Sequence, residues 1–210
     1  MALSLPPLYP IIDLAVCPLP AGEMLCLLAE AGARLIQLRA KKTSTRSFFQ
    51  EAVRLVSLAR PRGVRLIIND RADIALLSDA DGVHLGQEDL PPDLVREWLG
   101  PEKIIGLSTH NLEQARAGMR TSADYLAIGP VCPTLTKENP DPVVTAGQLK
   151  AIRTLVEKPL VAIGGITAEN AGVLFESGID SVAVIGDLLN WRDLPGRVRQ
   201  YLALAGRNSP

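Results

Sequence analysis

Aromatic residues make up only 4% of this 210-residue chain, so its core must rest on Leu, Ile, Val and Ala. That is the usual filling of a parallel sheet covered by helices. Cysteine is equally sparse. Cys17, Cys26 and Cys132 are an odd number, and none stands in a C-x-x-C spacing. Neither a disulfide framework nor a zinc site is expected from them, and reduced thiols in a cytoplasmic protein are the expectation. An excess of one charge is also missing: 22 basic and 23 acidic residues leave a net charge of −1. This is not the basic footprint of a nucleic-acid binder, and binding to single strands would ask for more exposed aromatics. An anionic small molecule stays open as a partner, because a local cluster of cations needs no positive total. No apolar run comes near the roughly 18 residues that a membrane-crossing helix requires. Residues 1–12, MALSLPPLYPII, lack a basic start and a cleavage site and are interrupted by prolines, so no secretory signal is expected.

What is present is ordinary globular composition, 47% hydrophobic and 21% charged, at a length that suits one domain over residues 1–210. Short apolar runs alternate with amphipathic stretches. Strands are predicted at Leu8–Asp13, Arg34–Leu38, Arg65–Ile68, Gly82–Leu85, Lys103–Leu107, Tyr125–Ile128, Leu160–Ile163 and Ser181–Ile185. Helices are predicted between them at Glu23–Ala31, Thr45–Arg60, Arg71–Leu77, Pro92–Leu99, Leu112–Met119, Ala146–Val156 and Ala168–Ser177, with a last one over Leu188–Ala205. Strands alternating with helices indicate a parallel sheet. Eight such units imply a compact (β/α)8 TIM barrel. A doubly wound open sheet is the competitor, but the first turn, Asp13–Pro20, lacks its G-x-G-x-x-G. The long loop Gly129–Val144, GPVCPTLTKENPDPVV, reads as a functional lid rather than a domain boundary.

In a barrel, chemistry gathers where strands end. Those positions carry Gln37-Leu38-Arg39-Ala40-Lys41, Asn69-Asp70, His84 through Asp89, Ser108, Pro133 through Lys137, Gly164-Gly165-Ile166 and Ile185-Gly186. Arg39, Lys41 and Lys137 offer charge-assisted donors to phosphate oxygens. Asp70 and Asp89 are hard oxygen ligands suited to Mg²⁺, and a divalent ion reconciles carboxylates with a neighbouring phosphate. Gly164, Gly165 and Gly186 would expose backbone N–H groups where barrels commonly bind a phosphate monoester. The expectation is a site that brings two phosphorylated molecules together.

The same residues carry a family resemblance. Q-x-R-x-K at Gln37–Lys41, N-D at Asn69-Asp70 and D-G-V-H-L-G-Q-x-D at Asp81–Asp89 resemble thiamine phosphate synthases, as do S-x-H at Ser108–His110, G-P-x-x-P-T-x-T-K at Gly129–Lys137 and V-A-I-G-G-I at Val161–Ile166. The resemblance covers about Tyr9 to Leu189. It implies that Gln37, Leu38, Arg39, Ala40, Lys41, Asn69, Ser108 and Lys137 bind a hydroxymethylpyrimidine diphosphate, with Arg39, Lys41, Ser108 and Lys137 closest to the chemistry. It implies Asp70 and Asp89 as Mg²⁺ ligands, and Thr134, Leu135, Thr136, Gly165, Ile185 and Gly186 as the site of a thiazole phosphate. The implied reaction is loss of diphosphate from the pyrimidine methylene and capture of the carbocation by the thiazole nitrogen. Two positions depart from the family: Gly186 stands where it usually has serine, and Cys132 where it commonly has phenylalanine.

Blander readings stand beside these. Asp70 could cap a helix starting near Arg71, and Asp89, before Pro91-Pro92, could serve a turn. His84, inside a strand, reads as a packed, hydrogen-bonded residue, His110 as a loop residue able to touch phosphate, and Gly82 and Gly178 as turn residues. Asp13 receives no role. A thiazole tautomerase, a silent ligand-sensing barrel and a phosphosugar isomerase or aldolase are the rival functions. An aldolase would want a lysine within a strand, and the one available, Lys103, is at a strand start. The outer ring of helices leaves pairing of copies into a homo-oligomer open.

Overall fold

A computed structural model describes residues 3–133, 141–189 and 191–206 of the chain. Its strands are β1 (Leu8–Asp13), β2 (Leu35–Arg39), β3 (Arg65–Asn69), β4 (Gly82–Leu85), β5 (Ile104–Thr109), β6 (Tyr125–Ile128), β7 (Leu160–Ile163) and β8 (Ser181–Val184). The helices are α1 (Ala21–Glu30), α2 (Thr45–Ala59), α3 (Ala72–Leu77), α4 (Pro92–Leu99), α5 (Leu112–Gly118), α6 (Ala146–Leu155), α7 (Ala168–Glu176) and α8 (Leu194–Gly206). Each strand pairs in parallel with the next, and β8 returns to β1 through Leu8↔Val182, Tyr9↔Ala183 and Pro10↔Val184. The expected (β/α)8 barrel is therefore the observed fold. Strand limits agree with the sequence reading or differ by one or two residues.

The last helix is a correction. It does not begin at Leu188 but at Leu194, after two short 3-10 turns at Gly186–Leu188 and Trp191–Asp193. Pro195 explains this. Proline has no N–H, and its ring clashes with the carbonyl four residues back, so it fits the first turn of a helix and not its interior.

Alternation along the strands separates two apolar layers. Leu8, Ile12, Ile36, Leu38, Leu66 and Ile68 face the helices, whereas Tyr9, Ile11, Leu35, Ile67, Val161 and Ala183 fill the barrel. A strand buried on both faces needs no polar alternation, which is why these runs read as continuously apolar. Helix starts follow local chemistry: Ser44, Asn111 and Thr145 cap α2, α5 and α6 by accepting from the backbone N–H groups of Ser47, Gln114 and Gln148.

At the N-terminal end of the barrel, three aspartates stand immediately before β4, β6 and β8. Asp81, Asp124 and Asp180 accept the N–H groups of Leu66, Ile105 and Leu160 at 2.7, 2.7 and 2.8 Å. Arg96 and Arg153 then pair with Asp124 and Asp180 at 2.6 and 2.9 Å. Buried strand N–H groups need acceptors, and these carboxylates supply them at the end opposite the βα loops. No helix among the described residues is long and apolar enough to cross a membrane.

Two glycines hold strands close together. Gly82 is the first residue of β4 and not a turn residue: a Cβ there would lie 2.0 Å from the Ile104 carbonyl oxygen. Gly106, in the middle of β5, pairs with His84 on one side and Tyr125 on the other. A Cβ at Gly106 would lie 2.1 Å from Cζ of Tyr125. Gly106→Ala therefore overpacks the barrel and should cost about 1–3 kcal/mol, seen as a fall in Tm of roughly 2–4 °C per kcal/mol for a domain of this size. A circular-dichroism melt checks this; an unchanged Tm would mean that β4 and β6 can part freely.

Candidate active site

The C-terminal strand ends bring together most of the residues singled out in the sequence. β2 places Gln37 and Arg39 on the inner face, with Lys41 two residues beyond Arg39. Leu38 and Ala40, between them, pack in the outer layer beneath the helices. What those two can offer a ligand is backbone alone.

Arg39 is held by a residue that has no role in the sequence reading. Asp13, 3% exposed, ends β1 opposite Arg39 and forms an ion pair with its guanidinium. Its other oxygen accepts the N–H of Ala15 at 3.0 Å. A buried carboxylate with two donors fixes the direction of the arginine, and a fixed fork is what recognises a phosphate geometrically. The signal was present in the sequence only as an acid ending a strand adjacent to the one that carries Arg39.

Asp70 follows β3 in the left-handed region, φ 64°, which Asp and Asn tolerate better than most residues. Its N–H donates to the carbonyl of His84 at 2.8 Å. It does not cap α3: that helix begins at Ala72, Arg71 occupies the cap position and no side chain caps it. The carboxylate faces the site instead, with Lys41 Nζ 3.5 Å from Oδ2. Burial, and then the negative charge of Asp89, push the Asp70 carboxyl above its ordinary pKa, with Lys41 pulling the other way. Asp89 is held by the N–H of Gly86, 2.6 Å from Oδ2.

Two carboxylates opposing each other, with cations beside them, form a donor set of the kind that takes a hard divalent ion together with phosphate oxygens and water. No cluster of three or more His, Cys, Asp or Glu side chains suited to a metal occurs among the described residues, so such an ion would draw its remaining ligands from substrate and solvent.

Asn69 is 8% exposed and Gln37 3%. His84 is the packed residue that the sequence suggested, buried with its ring between two hydroxyls: Nε2 lies 2.8 Å from Ser108 Oγ and Nδ1 2.8 Å from Tyr125 Oη. Burial lowers its pKa to about 4, so the ring is neutral near pH 7. His110 is spent on loop geometry. Its Nδ1 donates to the Gly129 carbonyl at 2.6 Å, and its backbone N–H donates to Gln114 at 2.7 Å.

Thr134, Leu135, Thr136 and Lys137 lie outside the described residues, as does the stretch 134–140 of the loop read as a lid. The two ends of that loop are placed. Val131 and Cys132 donate to the carbonyls of Ile163 and Gly164, each at 3.0 Å, zipping the loop after β6 to the one after β7. Gly165, φ 62°, is required by this approach, since a Cβ there would lie 2.2 Å from the Pro133 carbonyl oxygen. Ile185 and Gly186 follow β8, and Gly186 opens a 3-10 turn whose first N–H groups have no partner within the turn. The neighbouring Asp187, also missed in the sequence, ties this turn to α7 and α8 through the N–H of Ala168 at 3.1 Å and the hydroxyl of Tyr201 at 2.7 Å.

The raised pKa of Asp70 fixes the sign of a stability effect. Its penalty is absent below the unfolded value, about 4, and grows as pH rises through the folded value. Asp70→Asn keeps the left-handed backbone and removes the charge. Without metal it should melt above the wild type at pH 7.5, and the difference should close below about pH 4. A lower Tm at pH 7.5 would show that the attraction to Lys41 outweighs burial and repulsion.

Comparison with known proteins accords with this arrangement. A family model described as thiamine monophosphate synthase matches residues 8–188. The chain is 47% identical over 193 residues to a thiamine-phosphate synthase of Koribacter versatilis, covering 89% of this chain and 90% of that one. It is 49% identical over 164 residues to a thiamine-phosphate synthase of Desulfitobacterium hafniense, covering 78% and 79%. Among solved structures it resembles a thiamine phosphate pyrophosphorylase from Pyrococcus furiosus, with a TM-score of 0.86 and 34% identity over 97% of both chains. The chain belongs to the thiamine monophosphate synthase family and is a transferase.

Proposed function

We propose that the chain joins hydroxymethylpyrimidine diphosphate to a thiazole (or carboxythiazole) phosphate, giving thiamine phosphate and diphosphate, with Mg²⁺ as its cofactor. The observation that carries this reading is the meeting of Asp70 and Asp89 beside Lys41 and the anchored Arg39 at one end of the barrel. A tautomerase acting on the thiazole phosphate alone, or a silent sensor, has no use for this costly opposition of charges.

In this reading Asp70 and Asp89 hold Mg²⁺, which when bound offsets the charge on the diphosphate. Arg39, Lys41 and Lys137 bind the diphosphate oxygens. Gln37, Asn69 and Ser108 orient the pyrimidine, and Leu38 and Ala40 contribute backbone. Thr134, Leu135, Thr136, Gly165, Ile185 and Gly186 receive the thiazole phosphate. The bond between the methylene carbon and the diphosphate oxygen breaks with its electron pair leaving on oxygen. The thiazole nitrogen then donates its pair to the carbocation. Such chemistry asks the protein for fixed charge at the leaving group and two reactants held in line. It needs no nucleophile, and a histidine kept neutral by burial fits that.

The direct assay is thiamine phosphate formation from both substrates, with and without Mg²⁺, read as thiochrome fluorescence after oxidation. Metal-dependent product supports the proposal; no product, with the thiazole phosphate still bound, favours the tautomerase or sensor. Gly186 supplies a finer prediction. It has no positive φ, and a Cβ there meets nothing within 4 Å, so serine fits without strain. Gly186→Ser adds one hydrogen bond to the phosphate, worth about 0.5–1.5 kcal/mol, and should lower KM for the thiazole phosphate by up to roughly tenfold. An unchanged or raised KM contradicts this placement of the phosphate.

A further inference from the structure

A continuous hydrogen-bonded chain crosses the interior of the barrel. Gln37 Nε2 donates to Tyr9 Oη at 3.1 Å, and the hydroxyls of Tyr9 and Tyr125 are 3.0 Å apart. Tyr125 Oη lies 2.8 Å from His84 Nδ1, and His84 Nε2 lies 2.8 Å from Ser108 Oγ. Tyr9 is 1% exposed, Tyr125 0% and His84 6%, so bulk water does not compete for these partners. The chain is built into the backbone: a Cβ at Gly106 would lie 2.3 Å from Tyr125 Oη and 2.5 Å from His84 Nδ1, in the space through which they meet.

Proton counting gives the chain one direction. Buried donors without acceptors are costly. Tyr9, having accepted from Gln37, must donate its own proton to Tyr125. Tyr125 must then donate to a bare lone pair on His84 Nδ1. A neutral imidazole carries one N–H, which is therefore on Nε2 and is given to Ser108 Oγ. The proton of Ser108 is left over, on a half-buried hydroxyl at the mouth.

Resting on the reading that Ser108 contacts the pyrimidine substrate, we propose that Tyr9, Tyr125 and His84 are positioning residues that hold the Ser108 hydroxyl as a donor to a lone pair on that substrate. The acceptor is a ring nitrogen or a diphosphate oxygen. The polarity favours an acceptor, which takes the serine proton directly, over a donor, which is left only the second lone pair of Ser108 Oγ. The reverse polarity would require the Gln37 amide to turn and accept, and it would consume the serine proton on His84.

The tautomer is directly readable. Long-range ¹H–¹⁵N spectra of histidine-labelled protein, assigned with His110→Asn, should show His84 protonated at Nε2. Protonation at Nδ1 overturns the proposal, even if the wild type makes product; absence of product with the Nε2 tautomer present counts against the functional reading instead. A double-mutant cycle tests whether Tyr125 acts through the serine. Tyr125→Phe should raise KM for the pyrimidine diphosphate by up to roughly tenfold, the worth of one oriented hydrogen bond, and leave KM for the thiazole phosphate unchanged. In a Ser108→Ala background the same change should add nothing. Independent, multiplying effects of the two substitutions overturn the proposal, and the wild-type spectrum decides the polarity if Tyr125→Phe does not fold.

Discussion

Everything in this site hangs on the parallel register of neighbouring strands around the closed barrel. A parallel strand cannot slip by one residue without sending its whole inner set outward. The pairing Asp13↔Arg39 therefore sets a side-chain contact as well as a sheet contact. The same holds across three strands, where His84, Gly106 and Tyr125 stand in line. Closure also removes the sheet edge, and the aspartates before β4, β6 and β8 satisfy strand N–H groups at the far end. One end of the barrel is thereby given to stability and the other to chemistry, the usual division in this fold.

The chemical end is electrostatically unfavourable when empty. Burial and the neighbouring charge of Asp89 raise the cost of ionising Asp70, and Lys41, more exposed, compensates only in part. Sites that spend folding stability in this way are disproportionately functional. Arg39 differs, since Asp13 already neutralises it; its value is direction, not surplus charge. The interior behind them is crossed by the hydrogen-bonded chain from Gln37 to Ser108.

Much of this was legible in the sequence. Short runs rich in Leu, Ile and Val, each followed by an amphipathic stretch, gave the barrel because both faces of its strands are buried. Asp70, Asp89, Arg39 and Lys41 were legible because polar residues cluster at strand ends. What escaped were relations across the barrel. Asp13 shows its role only once β1 and β2 are in register. Tyr9 and Tyr125 received no role, because nothing local in the sequence says that their hydroxyls meet. Gly82 read as a turn because the carbonyl it accommodates belongs to another strand. The start of α8 differs from the expected Leu188 because Pro195 fits only the first turn of a helix.

The central claim is that the barrel mouth is a diphosphate site completed by a divalent ion. Calorimetric titration of the protein with inorganic diphosphate, in Mg²⁺ and then in EDTA, tests it without reference to turnover. The account predicts binding that is weakened roughly tenfold or more in EDTA, a loss of about 1.4 kcal/mol or greater, and a metal dependence that disappears in Asp89→Asn. Equal affinity with and without Mg²⁺, or no binding in either, would contradict it.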